Sequence, residues 1–121
     1  LDAKLVKRIA VKVGMVIDRI DFIYADGSRN GLGGGGSFAP SSIDIPGPII
    51  RIDTRKGGAL DWIKFEFYDL STSTTSTLSF GNPLGGAAQP AIIASSSDPI
   101  VQLIGQATWG ATVVGNINSV F

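Results

Sequence analysis

Two aspartates close the same five-residue phrase, Gly14-Met15-Val16-Ile17-Asp18 and Gly57-Gly58-Ala59-Leu60-Asp61. Both read G-x-x-x-D. Glycine admits a tight turn, and the backbone N–H groups that follow can converge beside the carboxylate. An ionised carboxylate accepts several hydrogen bonds, with charge-assisted ones contributing roughly 1.5–3 kcal/mol each. A pair of neighbouring hydroxyls suits such an acceptor. Glycine-rich loops elsewhere, Gly33 to Gly36 and Gly81 with Gly85-Gly86, can bring further backbone donors close because no side chain stands in the way. On spacing alone G-x-x-x-D is a weak signal, since aspartates near turns commonly bond their own backbone or water.

The chemistry that is missing narrows the classes. The chain has no histidine and no cysteine. It therefore lacks the commonest general base, a thiol nucleophile, disulfides and thiolate metal ligands. Acid–base catalysis would fall to carboxylates or lysine. A glycosidase wants two carboxylates about 5–10 Å apart across a cleft. Asp18 and Asp21 are expected on opposite faces of one strand, and Asp18 and Asp61 at separate corners. No phosphate-binding loop or metal cluster is present in the sequence, so neither an enzyme nor a cofactor or metal is expected.

Ten Lys and Arg balance ten Asp and Glu. Residues 1–56 carry nine basic and six acidic groups (+3), and residues 57–121 carry one basic and four acidic groups (−3). That dipole is too mild for a nucleic-acid partner. The apolar fraction is 44% and mean hydropathy is +0.28, values of a globular domain. The uncharged stretch 99–121 is interrupted by Gln102, Gln106, Asn116 and Asn118 and alternates in polarity, so it reads as strand and turn and no transmembrane segment is expected. Leu1 is not an initiator methionine and no signal peptide is visible. The compartment stays open, with secretion or action at a cell surface favoured.

The elements that must position the aspartates follow from a repeat. VIDRIDFIY (16–24), ALDWIKFEF (59–67) and VVGNINSVF (113–121) share isoleucine at the fifth place and an aromatic at the ninth. Asp18 and Asp61 fall in the same register, where the third copy has Gly115. Period-2 alternation puts Ile20, Phe22 and Tyr24 on one face and Arg19, Asp21 and Ile23 on the other. Ile63, Phe65 and Phe67 likewise oppose Trp62, Lys64 and Glu66, with Trp62 expected outward. A second strand precedes each copy, around Ile9 to Val13, Ile50 to Ile52 and Val101 to Leu103. Between the units lie turn-forming segments, Asp26-Gly27-Ser28, Gly33 to Ser37 and Asn82 to Gly86. The Ser71 to Thr77 run is expected as a polar loop leading into a strand at Leu78 to Phe80. Trp109 is expected in a turn, and Lys7, Arg8, Lys12 and Arg19 on a solvated outer face. No window shows helical periodicity. The expectation is one all-β domain, 1–121, with repeats near 5–35, 48–86 and 99–121 set about a pseudo-threefold axis.

The phrases IAVKVG, GMVID, FIYADGS, GGGG, DWIKFEF, FGNPLGG and IVQLIG together resemble the jacalin-related lectins over nearly the whole chain. The resemblance implies a β-prism of three Greek-key-like antiparallel sheets. It lacks the family's usual N-terminal glycine-pair strand, since Leu1-Asp2-Ala3-Lys4 leads directly to the strand at Val6. It also implies sugar sites for mannose- or glucose-type residues, each built from one G-x-x-x-D turn and one glycine loop. Carried onto this chain, one site comprises Gly14, Met15, Val16 and Asp18 with Gly34, Gly35 and Gly36. The other comprises Gly57, Gly58, Ala59 and Asp61 with Gly85 and Gly86. A third site would need an acid at Gly115 and is expected to be dead. The implied partners are mannose- or glucose-containing glycans or glycoproteins, and a homodimer is compatible with the family. The alternatives are a glycan- or membrane-targeting domain of a larger protein such as a pore-forming toxin, or a β-prism that has lost sugar binding.

Overall fold

The structure, a computed structural model, describes residues 5–34, 42–108 and 113–120. Every regular element among them is a strand: β1 (Val6–Val13), β2 (Ile17–Tyr24), β3 (Arg29–Gly33), β4 (Ile43–Asp44), β5 (Ile49–Lys56), β6 (Leu60–Asp69), β7 (Thr74–Gly81), β8 (Ala87–Ala88), β9 (Ile92–Ile93), β10 (Gln102–Thr108) and β11 (Val113–Val120). They form antiparallel sheets that do not close into a barrel. The first runs β3-β2-β1-β4, the second β7-β6-β5-β8 with β9 also on β5, and the third pairs β10 with β11. In each of the two larger sheets a strand from further along the chain returns to lie beside the first strand, which is Greek-key order. The all-β, β-prism-like expectation is met. No helix is long and apolar enough to cross a membrane.

The three sequence copies become three hairpins, β1–β2, β5–β6 and β10–β11, and all three carry a β-bulge at one place. Val13 pairs with Ile17 and Lys12 with Arg19, leaving Asp18 unpaired. Lys56 pairs with Leu60 and Arg55 with Trp62, leaving Asp61 unpaired. Ala107 pairs with Val114 and Gln106 with Asn116, leaving Gly115 unpaired. A bulge bends its strand and re-aims one side chain. The repeated register is therefore a repeated device for turning one residue out of the ladder.

The core forms where the inner faces meet. Ile9, Ile20, Phe22, Ile52, Ile63 and Phe65 are fully buried. Phe22 and Phe65, from different sheets, lie 6.2 Å apart in a tilted arrangement, and Phe65 meets Phe80 edge-on at 6.3 Å. Such aromatic pairs add about 0.5–1.5 kcal/mol to area burial. The hairpins interlock in a cyclic sense. Ile17, just before the first bulge, reaches Gly81 at the end of the second unit, and Val114, just before the third bulge, reaches Gly33 at the end of the first.

Four expectations are corrected. The Ser/Thr run is not a loop throughout, because β7 begins at Thr74 and pairs through Gly81 with β6. Alternation of Thr74, Ser76, Leu78 and Phe80 continues one register, and threonine is a good strand former. The segment after the Asp26 turn is not irregular, since Arg29–Gly33 pairs with β2. Gly105-Gln106-Ala107-Thr108 belongs to β10 rather than to a turn, while Trp109 lies outside the described residues. The face of β2 bearing Arg19, Asp21 and Ile23 is not solvated. Asp21 is 0% exposed, bound by Arg19 through two hydrogen bonds of 2.9 and 3.0 Å, with Arg29 at 3.6 Å. The Asp21 bond raises the Arg19 pKa further. Burial of a carboxylate is tolerated because its charge is paired and its lone pairs are filled.

Candidate functional site

The tight turn before each aspartate is closed in the same way in both hairpins. The Gly14 N–H donates to the Val16 carbonyl at 2.9 Å, and the Gly57 N–H to the Ala59 carbonyl at 3.0 Å. Val16 and Ala59 are buried and pack on each other, so the two turns meet at one end of the molecule. Their side chains serve packing, and only their backbones face the site. Met15, at the tip of the first turn, is 97% exposed. Gly58 stands at the equivalent tip of the second.

Each aspartate is then tied by its backbone to its own loop. The Asp18 carbonyl accepts the Gly34 N–H at 2.7 Å, and the Asp61 carbonyl accepts the Asn82 N–H at 2.9 Å. Gly33 and Gly81 occupy equivalent places with φ of 103° and 92°. At both, an added Cβ would collide with the aspartate's backbone carbonyl oxygen, so glycine is required there for conformation and for space.

The carboxylates themselves are half-buried, and no described residue gives either one a hydrogen bond or an ion pair. Around Asp61 three glycines come close. A Cβ on Gly86 would lie 2.5 Å from Asp61 Oδ2, one on Gly57 3.4 Å from it, and one on Gly85 3.1 Å from Asp61 Cγ. Around Asp18 a Cβ on Gly14 would lie 2.9 Å from Oδ2. Gly34 is placed beside the Asp18 backbone, whereas the expected contributions of Gly35 and Gly36 lie outside the described residues. Among the described residues the arrangement offers two carboxyl groups without a partner, each flanked by glycine main chain, and can take hydroxyl donors.

The loop facing Asp61 has its own scaffold. Asn82 Oδ1 accepts the Leu84 N–H at 3.0 Å and the Asn82 carbonyl accepts the Gly85 N–H at 3.1 Å. Arg55 donates from Nε to the Gly85 carbonyl and from Nη2 to the Gly86 carbonyl, both at 3.0 Å. On the other side Arg19 Nη1 donates to the Gly34 carbonyl at 2.9 Å. Sequence reasoning placed Arg19 on a solvated face and did not single out Arg55. Nothing local distinguishes Arg55 from the neighbouring Lys56 until the loop 30 residues on is folded against it.

Trp62 is half-buried and has Lys64 Nζ 6.0 Å from its ring centre, so part of its outer surface is already engaged. Gly115 is buried, and a Cβ there would meet Thr108 Cβ at 3.0 Å and the Gln106 carbonyl at 3.2 Å. The third bulge thus has neither an acid nor the room for one. Among the described residues no three His, Cys, Asp or Glu side chains cluster as metal ligands would.

No protein-family model matches the chain, and no curated protein matches it. Among solved structures, the crystal structure of PirB is similar, with a TM-score of 0.69 over 97% of this chain at 18% identity. That similarity supports the fold. This chain spans 28% of the length of the PirB chain.

Proposed function

We propose that the chain is a carbohydrate-binding module that recognises mannose- or glucose-type residues through Asp18 and Asp61, as jacalin-related lectins do. One observation carries this reading. Two carboxylates without partners among the described residues sit at equivalent bulges, each so close to a glycine that an added Cβ would lie 2.9 Å from Asp18 Oδ2 at Gly14 and 2.5 Å from Asp61 Oδ2 at Gly86. A structural aspartate at a turn normally satisfies its oxygens locally, as Asp26 does by accepting from the Ser28 N–H and hydroxyl. Asp18 and Asp61 do not. Sugar hydroxyls would donate to the carboxylate while ring oxygens accept from loop N–H groups. A single monosaccharide should bind weakly, at about 1 mM, equivalent to about 4 kcal/mol. Two pockets at one end of the chain would raise avidity for a multivalent glycan through effective concentration.

The test is a glycan array and a mannose titration on wild type, Asp18→Ala, Asp61→Ala and the double variant. Two working pockets predict partial loss in each single variant and full loss in the double. Binding that survives the double variant, with the fold intact by circular dichroism, removes the mechanism.

A second reading, a glycan- or membrane-targeting domain within a larger protein, is favoured by one fact. The similar fold in PirB occupies 28% of a longer chain. Binding of the domain to anionic or glycolipid vesicles in the absence of any response to free mannose would favour it over the first.

A further inference from the structure

We infer that Arg55, with Arg19 as its counterpart, is a positioning residue that sets the peptide planes of the glycine loop beside each candidate carboxylate. The inference rests on the sugar-site reading for its consequence, but on geometry for its substance.

The two arginines come from different strands and reach equivalent loops. In the first hairpin the rung next to the bulge pairs Lys12 with Arg19, and in the second the corresponding rung pairs Arg55 with Trp62. Directly opposite residues in an antiparallel pair have Cβ atoms about 5 Å apart, so a long side chain reaches the same loop from either strand. The arginine has changed strand between the two units, and it grips a later part of the loop in the second, because Gly34 corresponds to Asn82 by its bond to the aspartate carbonyl. Arg19 holds the Gly34 carbonyl and Arg55 the Gly85 and Gly86 carbonyls.

The fork of a guanidinium donates two near-parallel bonds in fixed geometry, which a lysine cannot do. Because a peptide unit is planar with C=O and N–H opposed, fixing a carbonyl also fixes the direction of the next N–H. Gripping the Gly85 and Gly86 carbonyls therefore turns the Gly86 N–H to the side away from Arg55. Glycine has the widest choice of backbone conformations, so a Gly-Gly pair is where such a restraint removes most freedom. Arg55 has no carboxylate partner among the described residues, and Gly86 is the loop residue that comes nearest to Asp61 Oδ2. The Arg55 fork is thus spent on the loop alone. Arg19 shares its donors with the buried Asp21.

The experiment uses the full chain and Arg55, because altering Arg19 would also strip Asp21. Arg55→Met keeps the stem and removes the fork, and Arg55→Lys keeps the charge. In sugar-free protein, amide hydrogen exchange by NMR should quicken about tenfold or more at Gly85, whose N–H donates to the Asn82 carbonyl, in Arg55→Met, the mark of one lost restraint. Exchange at Gly34 should stay unchanged, and Arg55→Lys should resemble Arg55→Met. Mannose affinity in the Asp18→Ala background, where only Asp61 remains, should fall about tenfold, roughly the worth of one hydrogen bond. In the Asp61→Ala background the same substitution should leave affinity unaltered. A residue that merely supported the sheets would shift both backgrounds together, or lower the melting temperature without touching either. Unchanged Gly85 exchange, or equal losses at both pockets, overturns the inference. If wild type binds no mannose, the functional reading falls, while Gly85 exchange still decides whether Arg55 sets the loop.

Discussion

The Tyr24 hydroxyl donates to the backbone carbonyl of Val101, joining the end of β2 to the segment that enters β10 across 77 positions of sequence. Burial disfavours the phenolate and raises the Tyr24 pKa above its ordinary 10.0. The folded value lies above the unfolded one, so the associated stability is complete below pH 10 and lost as pH rises through the folded value. Melting followed from pH 8 to 12 should show a fall that Tyr24→Phe lessens. At neutral pH that variant should cost about 1 kcal/mol, one hydrogen bond. An identical alkaline profile in both proteins would show that Tyr24 does not set it.

Asp21→Asn should destabilise the domain by about 3 kcal/mol, because it leaves Arg19 and Arg29 without their buried counter-charge. Denaturant unfolding measures this directly. Asp53→Asn is the natural contrast. Arg51 grips Asp53 with the same two-bond geometry, at 2.9 and 3.0 Å, but the pair is solvent-screened, so its loss should shift the unfolding midpoint far less than Asp21→Asn does.

Gly27→Ala and Gly81→Ala separate backbone strain from collision. Both glycines have positive φ, 85° and 92°. A Cβ on Gly27 meets nothing within 4 Å, so about 1 kcal/mol of strain is expected. A Cβ on Gly81 strikes the Asp61 carbonyl, so the cost should exceed about 2 kcal/mol. Gly81→Ala should also weaken the Asp61 pocket in the Asp18→Ala background, while Gly27→Ala should not. Equal unfolding energies for the two variants would contradict this.

Gly115→Asp should not create a third pocket. The bulge is present, but Thr108 and the Gln106 carbonyl stand 3.0 and 3.2 Å from where Cβ would go. Overpacking of this kind typically costs about 1–3 kcal/mol. A melting scan with mannose titration in the double aspartate variant would read both outcomes.

How far these features were legible in the sequence follows their physical origin. Strand position and the aspartate register could be read because period-2 alternation and a nine-residue pattern are local properties, and three copies reinforced one another. The bulges could not be read as such, since one unpaired residue leaves no mark on composition. Asp21 looked like a solvent-facing charge because its partners, Arg19 two residues away and Arg29 eight, acquire meaning only when β3 folds back on β2. The Ser71 to Thr77 run looked like a loop because it is polar, yet pairing with β6 needs backbone groups and tolerates threonine. The pocket glycines were recognisable individually. That Arg55 would hold two of them was not, because the contact spans 30 residues.

A residue released from the pairing ladder carries no duty to the sheets on either side. Asp18, Asp61 and Gly115 stand at such released positions, one per hairpin. At Asp18 and Asp61 the side chain can therefore change while the shared interior stays fixed, whereas Gly115 is hemmed in by Thr108 and the Gln106 carbonyl. Descent of such a chain would be recorded in its buried isoleucines and phenylalanines, and novelty at the two open places along its rim.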